Sequence, residues 1–136
     1  MIRTILIDDE AHNRDTLRKL LEQNCPQVSV VGEAPGVHTG INLIRELHPG
    51  LVLLDINMKD GTGFDLLNAF PTIDFKVIFI SAFDKNTIRA FRLSGVEYLL
   101  KPVNPEELKA VVNRTVKSDP EDLKLHLQAL ENNARR

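Results

Sequence analysis

Two aspartates, Asp8 and Asp9, directly follow the apolar run 4–7, and Asp55 directly follows the run 51–54. Three carboxylates drawn into one place repel one another and resist leaving water, at a cost of several kcal/mol unless a cation compensates. A hard divalent ion, Mg²⁺ or Mn²⁺, is the natural partner, because it takes oxygen ligands and keeps waters and phosphate oxygens in its shell. The run 76–80 ends in Ser81, and the run 96–100 ends in Lys101-Pro102. Carboxylates, a cation, an ammonium and a hydroxyl together suit phosphoryl chemistry. The positive charges neutralise phosphoryl oxygens while one carboxylate attacks.

That chemistry needs elements that bring four chain segments together. Five short apolar runs, at 4–7, 28–31, 51–54, 76–80 and 96–100, are nearly continuous in apolar character. Such runs suit strands of a parallel sheet buried on both faces, with the shorter or mixed second and fifth runs at its edges. Between them, Leu17, Leu20 and Leu21 mark one helical face. Val37, Ile41, Ile44 and Leu47 or His48 mark a second helix, and Leu66, Leu67 and Phe70 a short third. Ile88 and Phe91 mark the fourth, and Leu108, Val111, Val112 and Val116 the fifth, which Asn104-Pro105-Glu106-Glu107 opens as a cap, a proline and first-turn acids. Alternating strands and helices predict an α/β sandwich with right-handed crossovers. Ligands of such sheets bind outside the carboxyl ends of the strands. If the first and third runs are neighbours, the three aspartates meet there.

Composition narrows the function classes. The 136 residues carry 17 Lys plus Arg against 19 Asp plus Glu, a net charge of −2, so the basic balance of a nucleic-acid domain is missing. Length predicts one domain, at about 150 residues each. No apolar run reaches about 18 residues and the start lacks the pattern of a signal peptide, so no membrane segment and a cytoplasmic setting are expected. The single cysteine, Cys25, forms no internal disulfide, which agrees with a reducing compartment.

Each residue also has a plainer reading. Asp9 alone is as readily a helix cap, Asp55 a turn former, Lys101 a loop lysine and Ser81 a turn hydroxyl. His12, His38, His48 and His126 share no metal-ligand spacing, and Cys25 has no activating histidine near it in sequence. Gly61-Thr62-Gly63 reads as a turn before the third helix. Against these readings stands the coincidence of four strand ends, each supplying a suitable group.

The segments Ile7-Asp8-Asp9-Glu10, Leu53-Leu54-Asp55-Ile56-Asn57-Met58, Ser81-Ala82-Phe83 and Tyr98-Leu99-Leu100-Lys101-Pro102 resemble the receiver domain of two-component response regulators, over about residues 3 to 117. The resemblance implies a doubly wound, five-stranded, flavodoxin-like fold of strand order 2-1-3-4-5, an order the general rule illustrates with a bacterial receiver. By position it implies Asp55 as phosphoacceptor, with Asp9, Asp55 and the backbone carbonyl of Asn57 holding Mg²⁺ and Asp8 assisting through a water. It further implies that Lys101 pairs with the phosphoryl group, Ser81 donates to it, and Tyr98 is an aromatic switch. Lys59 departs from the family, which commonly has proline there. Asn57 and Phe83 stand where the family tunes access of hydrolytic water. A finer resemblance, in Asp60-Gly61-Thr62-Gly63-Phe64-Asp65-Leu66-Leu67, Ile88-Arg89-Ala90-Phe91 and Tyr98-Leu99-Leu100-Lys101-Pro102-Val103, is to receivers attached to LytTR-type DNA-binding domains.

The resemblance implies a sensor histidine kinase as donor and a homodimer through helix 4, strand 5 and helix 5 or through a C-terminal helix. Contact with DNA would come only through an output domain outside this chain. Residues 1–117 are expected to be the receiver. Residues 118–136, with Leu123, Leu127, Leu130 and Ala134 in a narrow stripe, are expected to form a helical linker. The bond between Lys101 and Pro102 is expected to be cis, at a cost of about 0.5–1 kcal/mol. A phosphatase of the haloacid-dehalogenase type is the rival, but it wants an acid where Asn57 stands. A flavin-binding protein would need a phosphate loop where Asp8 and Asp9 repel phosphate. A free-standing receiver is the alternative to a fragment of a longer regulator.

Overall fold

The computed structural model describes residues 1–82 and 84–118 and, in the tail, residues 125, 128 and 129. The five apolar runs are strands: β1 (Ile2–Ile7), β2 (Val28–Ala34), β3 (Leu51–Asp55), β4 (Lys76–Ser81) and β5 (Tyr98–Leu100). Five helices alternate with them: α1 (Ala11–Asn24), α2 (Val37–Leu47), α3 (Gly63–Asn68), α4 (Lys85–Ser94) and α5 (Pro105–Lys117). A small antiparallel ribbon, Asn57–Met58 against Gly61–Thr62, lies between β3 and α3. The main sheet is parallel, in the order β2-β1-β3-β4-β5, which is the receiver arrangement of a flavodoxin-like fold.

Continuous apolarity in the strands resolves into two faces, because successive side chains alternate across a sheet. Ile5, Ile7, Val52, Leu54, Val77 and Phe79 pack toward Val37 and Ile44 of α2, Leu66 of α3 and Phe91 of α4. Leu6, Leu51, Leu53, Ile78, Ile80 and Leu99 pack toward Leu17 and Leu21 of α1 and Leu108, Val111 and Val112 of α5. Helices cover both sides, so β3 in the centre is buried at every residue.

The edges differ from their sequence patterns. The register of β1 against β2 shifts between Thr4 and Ile5, which pair with Val30 and Gly32, so β2 bulges at Val31 and runs on to Ala34. Strand β5 is shorter than its run. Gly95 closes α4 in the left-handed region, and Val96 packs in the core before the ladder begins.

Local caps set the helix starts. Asn104 Oδ1 accepts from the N–H groups of Glu106 at 2.8 Å and Glu107 at 3.3 Å, with Pro105 in the first turn. Thr62 and Asp65 cap α3 reciprocally. At the end of α5, the Lys76 ammonium donates to the Val116 carbonyl at 2.5 Å, joining the first residue of β4 to a helix C-terminus, where a cation is favoured. No helix among the described residues is long and apolar enough to cross a membrane. The expected helix over 118–136, apart from residues 118, 125, 128 and 129, lies outside the described residues, as does Phe83.

Candidate functional site at the carboxyl ends of the strands

The ladder continues one residue past the strands, which levels the loops that follow. Asp8 N–H donates to the Ala34 carbonyl at 3.1 Å, Ile56 N–H to Ile80 at 3.2 Å, and Lys101 N–H to Ser81 at 2.8 Å. With β1 between β2 and β3, the loop after β1 opens beside the loop after β3 at the switch in strand order. Carboxylate oxygens of Asp8, Asp9 and Asp55 consequently lie within 4.8 Å of one another. Asp8 and Asp55 are each 6% exposed, whereas Asp9 is half-buried.

Lys101 closes the pocket from the β5 side. Its ammonium stands 2.9 Å from Asp8 Oδ2 and 3.2 Å from Asp55 Oδ2. The Lys101–Pro102 peptide bond is cis. Burial, and after it the charge of Asp8, pushes the Asp55 carboxyl above its ordinary value, and Lys101 only partly offsets this. Burial alone would pull Lys101 down, but hydrogen bonds and charges from Asp8 and Asp55 overcome it and the ammonium is held above its usual value. Two buried carboxylates sharing one ammonium, beside a third, remain one-sidedly acidic. This donor set fits a hard divalent cation.

The remaining expected residues stand around this centre. Ser81 is buried at the end of β4, and its hydroxyl donates to the Ala82 carbonyl at 2.8 Å. Asn57 is exposed at the start of the ribbon. Tyr98 pairs in register with Phe79, two residues short of Ser81. Its ring stacks on Phe91 at 5.2 Å, Phe91 on Phe79 at 5.4 Å, and Phe79 meets Phe64 at 5.3 Å. The Tyr98 hydroxyl accepts from Arg92 Nε at 3.2 Å. The pocket thus gathers Asp8, Asp9, Asp55 and Lys101, while Tyr98 sits in an aromatic row behind it.

Asp9 does not cap α1. The residue in the cap position is Glu10, without a side-chain cap bond, and Asp8 Oδ1 accepts from Glu10 N–H at 2.9 Å. Asp60 carries a cap that its local sequence hides. Reaching from the ribbon turn to another helix, it accepts from Val37 N–H at 2.8 Å and His38 N–H at 3.2 Å. These two backbone donors, Val37 first, hold the Asp60 carboxyl below its ordinary value. Gly36 leaves room for it, since a Cβ there would lie 2.8 Å from Asp60 Oδ1. Gly63 plays a matching part nearer the pocket, where a Cβ would lie 2.8 Å from the Asp55 carbonyl.

Comparison with known proteins agrees with this geometry. The family model for the response regulator receiver domain matches residues 4–113. The chain is 39% identical over 119 residues to an uncharacterized response regulatory protein of Vibrio vulnificus, covering 87% of this chain and 49% of that protein. It is 31% identical over 110 residues to the sensory transduction protein LytT of Bacillus cereus, covering 79% and 44% respectively. It is likewise 31% identical over 115 residues to the transcriptional regulatory protein BtsR of Escherichia coli, covering 84% and 48%. Among solved structures, the response regulator PhyR from Brucella abortus superposes with a TM-score of 0.73 at 28% identity, over 84% of this chain and 47% of that one. The chain spans about half the length of the curated relatives it matches. LytT and BtsR accord with the finer resemblance to LytTR-type regulators. A receiver is a phosphoacceptor regulatory module, not a turnover enzyme, and the acid-lined pocket sits where such a module needs it. This chain belongs to the response regulator receiver domain family.

Proposed function

We propose that the chain is the phosphorylatable switch of a two-component pair, with Asp55 as the acceptor. The observation that carries this reading is the buried Asp55 carboxylate, facing Lys101 at 3.2 Å beside two further acids. An Asp55 oxygen attacks the phosphorus of a phosphohistidine on a sensor kinase. The phosphorus–nitrogen bond breaks, its electron pair leaves on the imidazole nitrogen, and that ring takes a proton from solvent. Asp9, Asp55 and the Asn57 carbonyl would hold Mg²⁺ or Mn²⁺, with Asp8 acting through a water. When bound, the ion neutralises charge on the phosphoryl oxygens. Lys101 offers its ammonium to the same oxygens, and Ser81 turns its hydroxyl from Ala82 toward them.

In this reading the new charge draws Ser81 inward and lets Tyr98 change its packing, which rebalances two states of the surface formed by α4, β5 and α5. Residues 1–117 are the receiver, and 118–136 lead toward a LytTR-type DNA-binding domain outside this chain, acting in the cytoplasm. Relatives about twice as long, one of them a transcriptional regulatory protein, support that assignment. Pairing of two copies, through the α4–β5–α5 face or the tail, would transmit the switch. Comparing the association of the full chain with that of a chain ending at Lys117, each with and without beryllofluoride, tests the tail's share.

The deciding experiment is incubation with acetyl phosphate and Mg²⁺, read by intact mass. One phosphoryl group per chain, absent in Asp55→Asn, is expected. An unmodified wild-type chain, or equal modification of the variant, would overturn the assignment.

A further inference from the structure

Asp8 is held at four atoms, and three of its partners are explained by the strand ladder, the turn into α1 and Lys101. The fourth is not. The Asp8 carbonyl accepts from Arg14 Nη1 at 2.5 Å. Arg14 lies one turn into α1 with its side chain 16% exposed, and its Nε donates to Glu33 Oε1 at 3.2 Å. Glu33 belongs to β2, opposite Leu6, and its other oxygen takes Arg18. The guanidinium therefore spans two elements, one nitrogen fixed by a carboxylate and another placed on a backbone oxygen. A planar fork can do this, and a lysine ammonium cannot reproduce it.

That carbonyl belongs to the peptide joining Asp8 to Asp9. No hydrogen bond or salt bridge holds the Asp9 carboxylate among the described residues. Its aim follows from the backbone that bears it. Resting on the receiver reading above, we infer that Arg14, seated by Glu33, is a positioning residue for the cation site: it fixes the Asp8–Asp9 peptide so that Asp9 points into the pocket. Ligand-orienting partners of this kind are typically worth about 10–100-fold in metal affinity.

Charge alone predicts the opposite sign. Arg14 is a cation near a cation site, so its removal would by Coulomb's law tighten Mg²⁺ binding. The test is calorimetric titration of the full chain with MgCl₂ in wild type, Asp9→Ala, Arg14→Gln, Arg14→Lys and Glu33→Gln, with thermal melts run without the ion. Arg14→Gln should bind Mg²⁺ about 10-fold more weakly. Arg14→Lys should remain weakened although it keeps the charge, and Glu33→Gln should be weakened less. At saturating Mg²⁺, Arg14→Gln should regain wild-type acetyl-phosphate labelling, a rescue that a damaged fold would not give. If Asp9→Ala weakens binding but both Arg14 variants equal or exceed wild type, the positioning role is overturned and the receiver reading stands. If Arg14→Gln fails to fold, the affinity of Arg14→Lys decides by the same rule. A wild-type chain that binds no Mg²⁺ overturns the receiver reading and this inference with it.

Discussion

Asp60 and Val37 are joined by a 2.8 Å hydrogen bond from backbone N–H to carboxylate, which ties the ribbon after β3 to the first turn of α2. The bond unites two loops at the pocket end of the sheet, so the segment bearing Asn57 is braced from a neighbouring helix. Asp60 sits below its ordinary pKa because of the Val37 and His38 donors. A depressed carboxyl contributes stability that is complete above its unfolded value, about 3.9, and is lost as pH falls through the lower folded value. Asp60→Asn should therefore be less stable than wild type at neutral pH, with the gap closing in acid. Urea midpoints measured from neutral to strongly acid pH check this, and a gap that persists in acid contradicts it.

Asp55→Asn should stabilise the ion-free protein while abolishing its phosphorylation. The Asp55 carboxyl is raised by burial and by Asp8, so its charged form opposes folding once pH exceeds the raised value. Below the unfolded value both states are protonated and the gain vanishes. Thermal melts in EDTA across pH should show a higher Tm for the variant at neutral pH, converging with wild type in acid.

Removal of Lys101 should move two properties in opposite directions. Lys101→Ala takes an ammonium from between Asp8 and Asp55. Magnesium titration should then show affinity raised several-fold, because a competing cation is gone. Labelling by acetyl phosphate should slow by about 10-fold or more, since a donor to the phosphoryl oxygens is lost. A parallel fall in both would mean that Lys101 serves the fold alone.

Phe91→Ala should cost about 3–5 kcal/mol, the usual price of emptying a large buried aromatic site. Phe91 is fully buried and stacked between Phe79 and Tyr98. Chemical denaturation measures the loss, and a change below about 1 kcal/mol would mean that the row closes around the gap.

Much of this could be read in the residues because it rests on local patterning. The runs at 51–54 and 76–80 carry enough apolar side chains to declare buried strands, and Asp55 and Ser81, which follow them, stand where strands must end. Asn104 likewise announces its cap through the three residues after it. What escaped were contacts made across the chain. Asp60 stands 23 residues from Val37, and nothing next to either reveals the bond. Arg14 looks like one more solvated position on α1 until Glu33 arrives beside it from β2. Lys101 was expected on a phosphoryl group, and its partnership with Asp8 depends on how β5 and β1 lie across the sheet. Strand β5 proved shorter than its apolar run because Val96 is buried by the turn out of α4 and not by the ladder.

The link between Lys76 and the Val116 carbonyl has a further consequence. Lys76 opens β4 and Ser81 ends it, so this anchor lies a whole strand away from the pocket, roughly 17–20 Å. The acidic pocket and the C-terminal end of α5 therefore lie at opposite ends of β4. The last turn of α5 is thereby tied to an interior strand of the sheet, at the end of that strand opposite the acids.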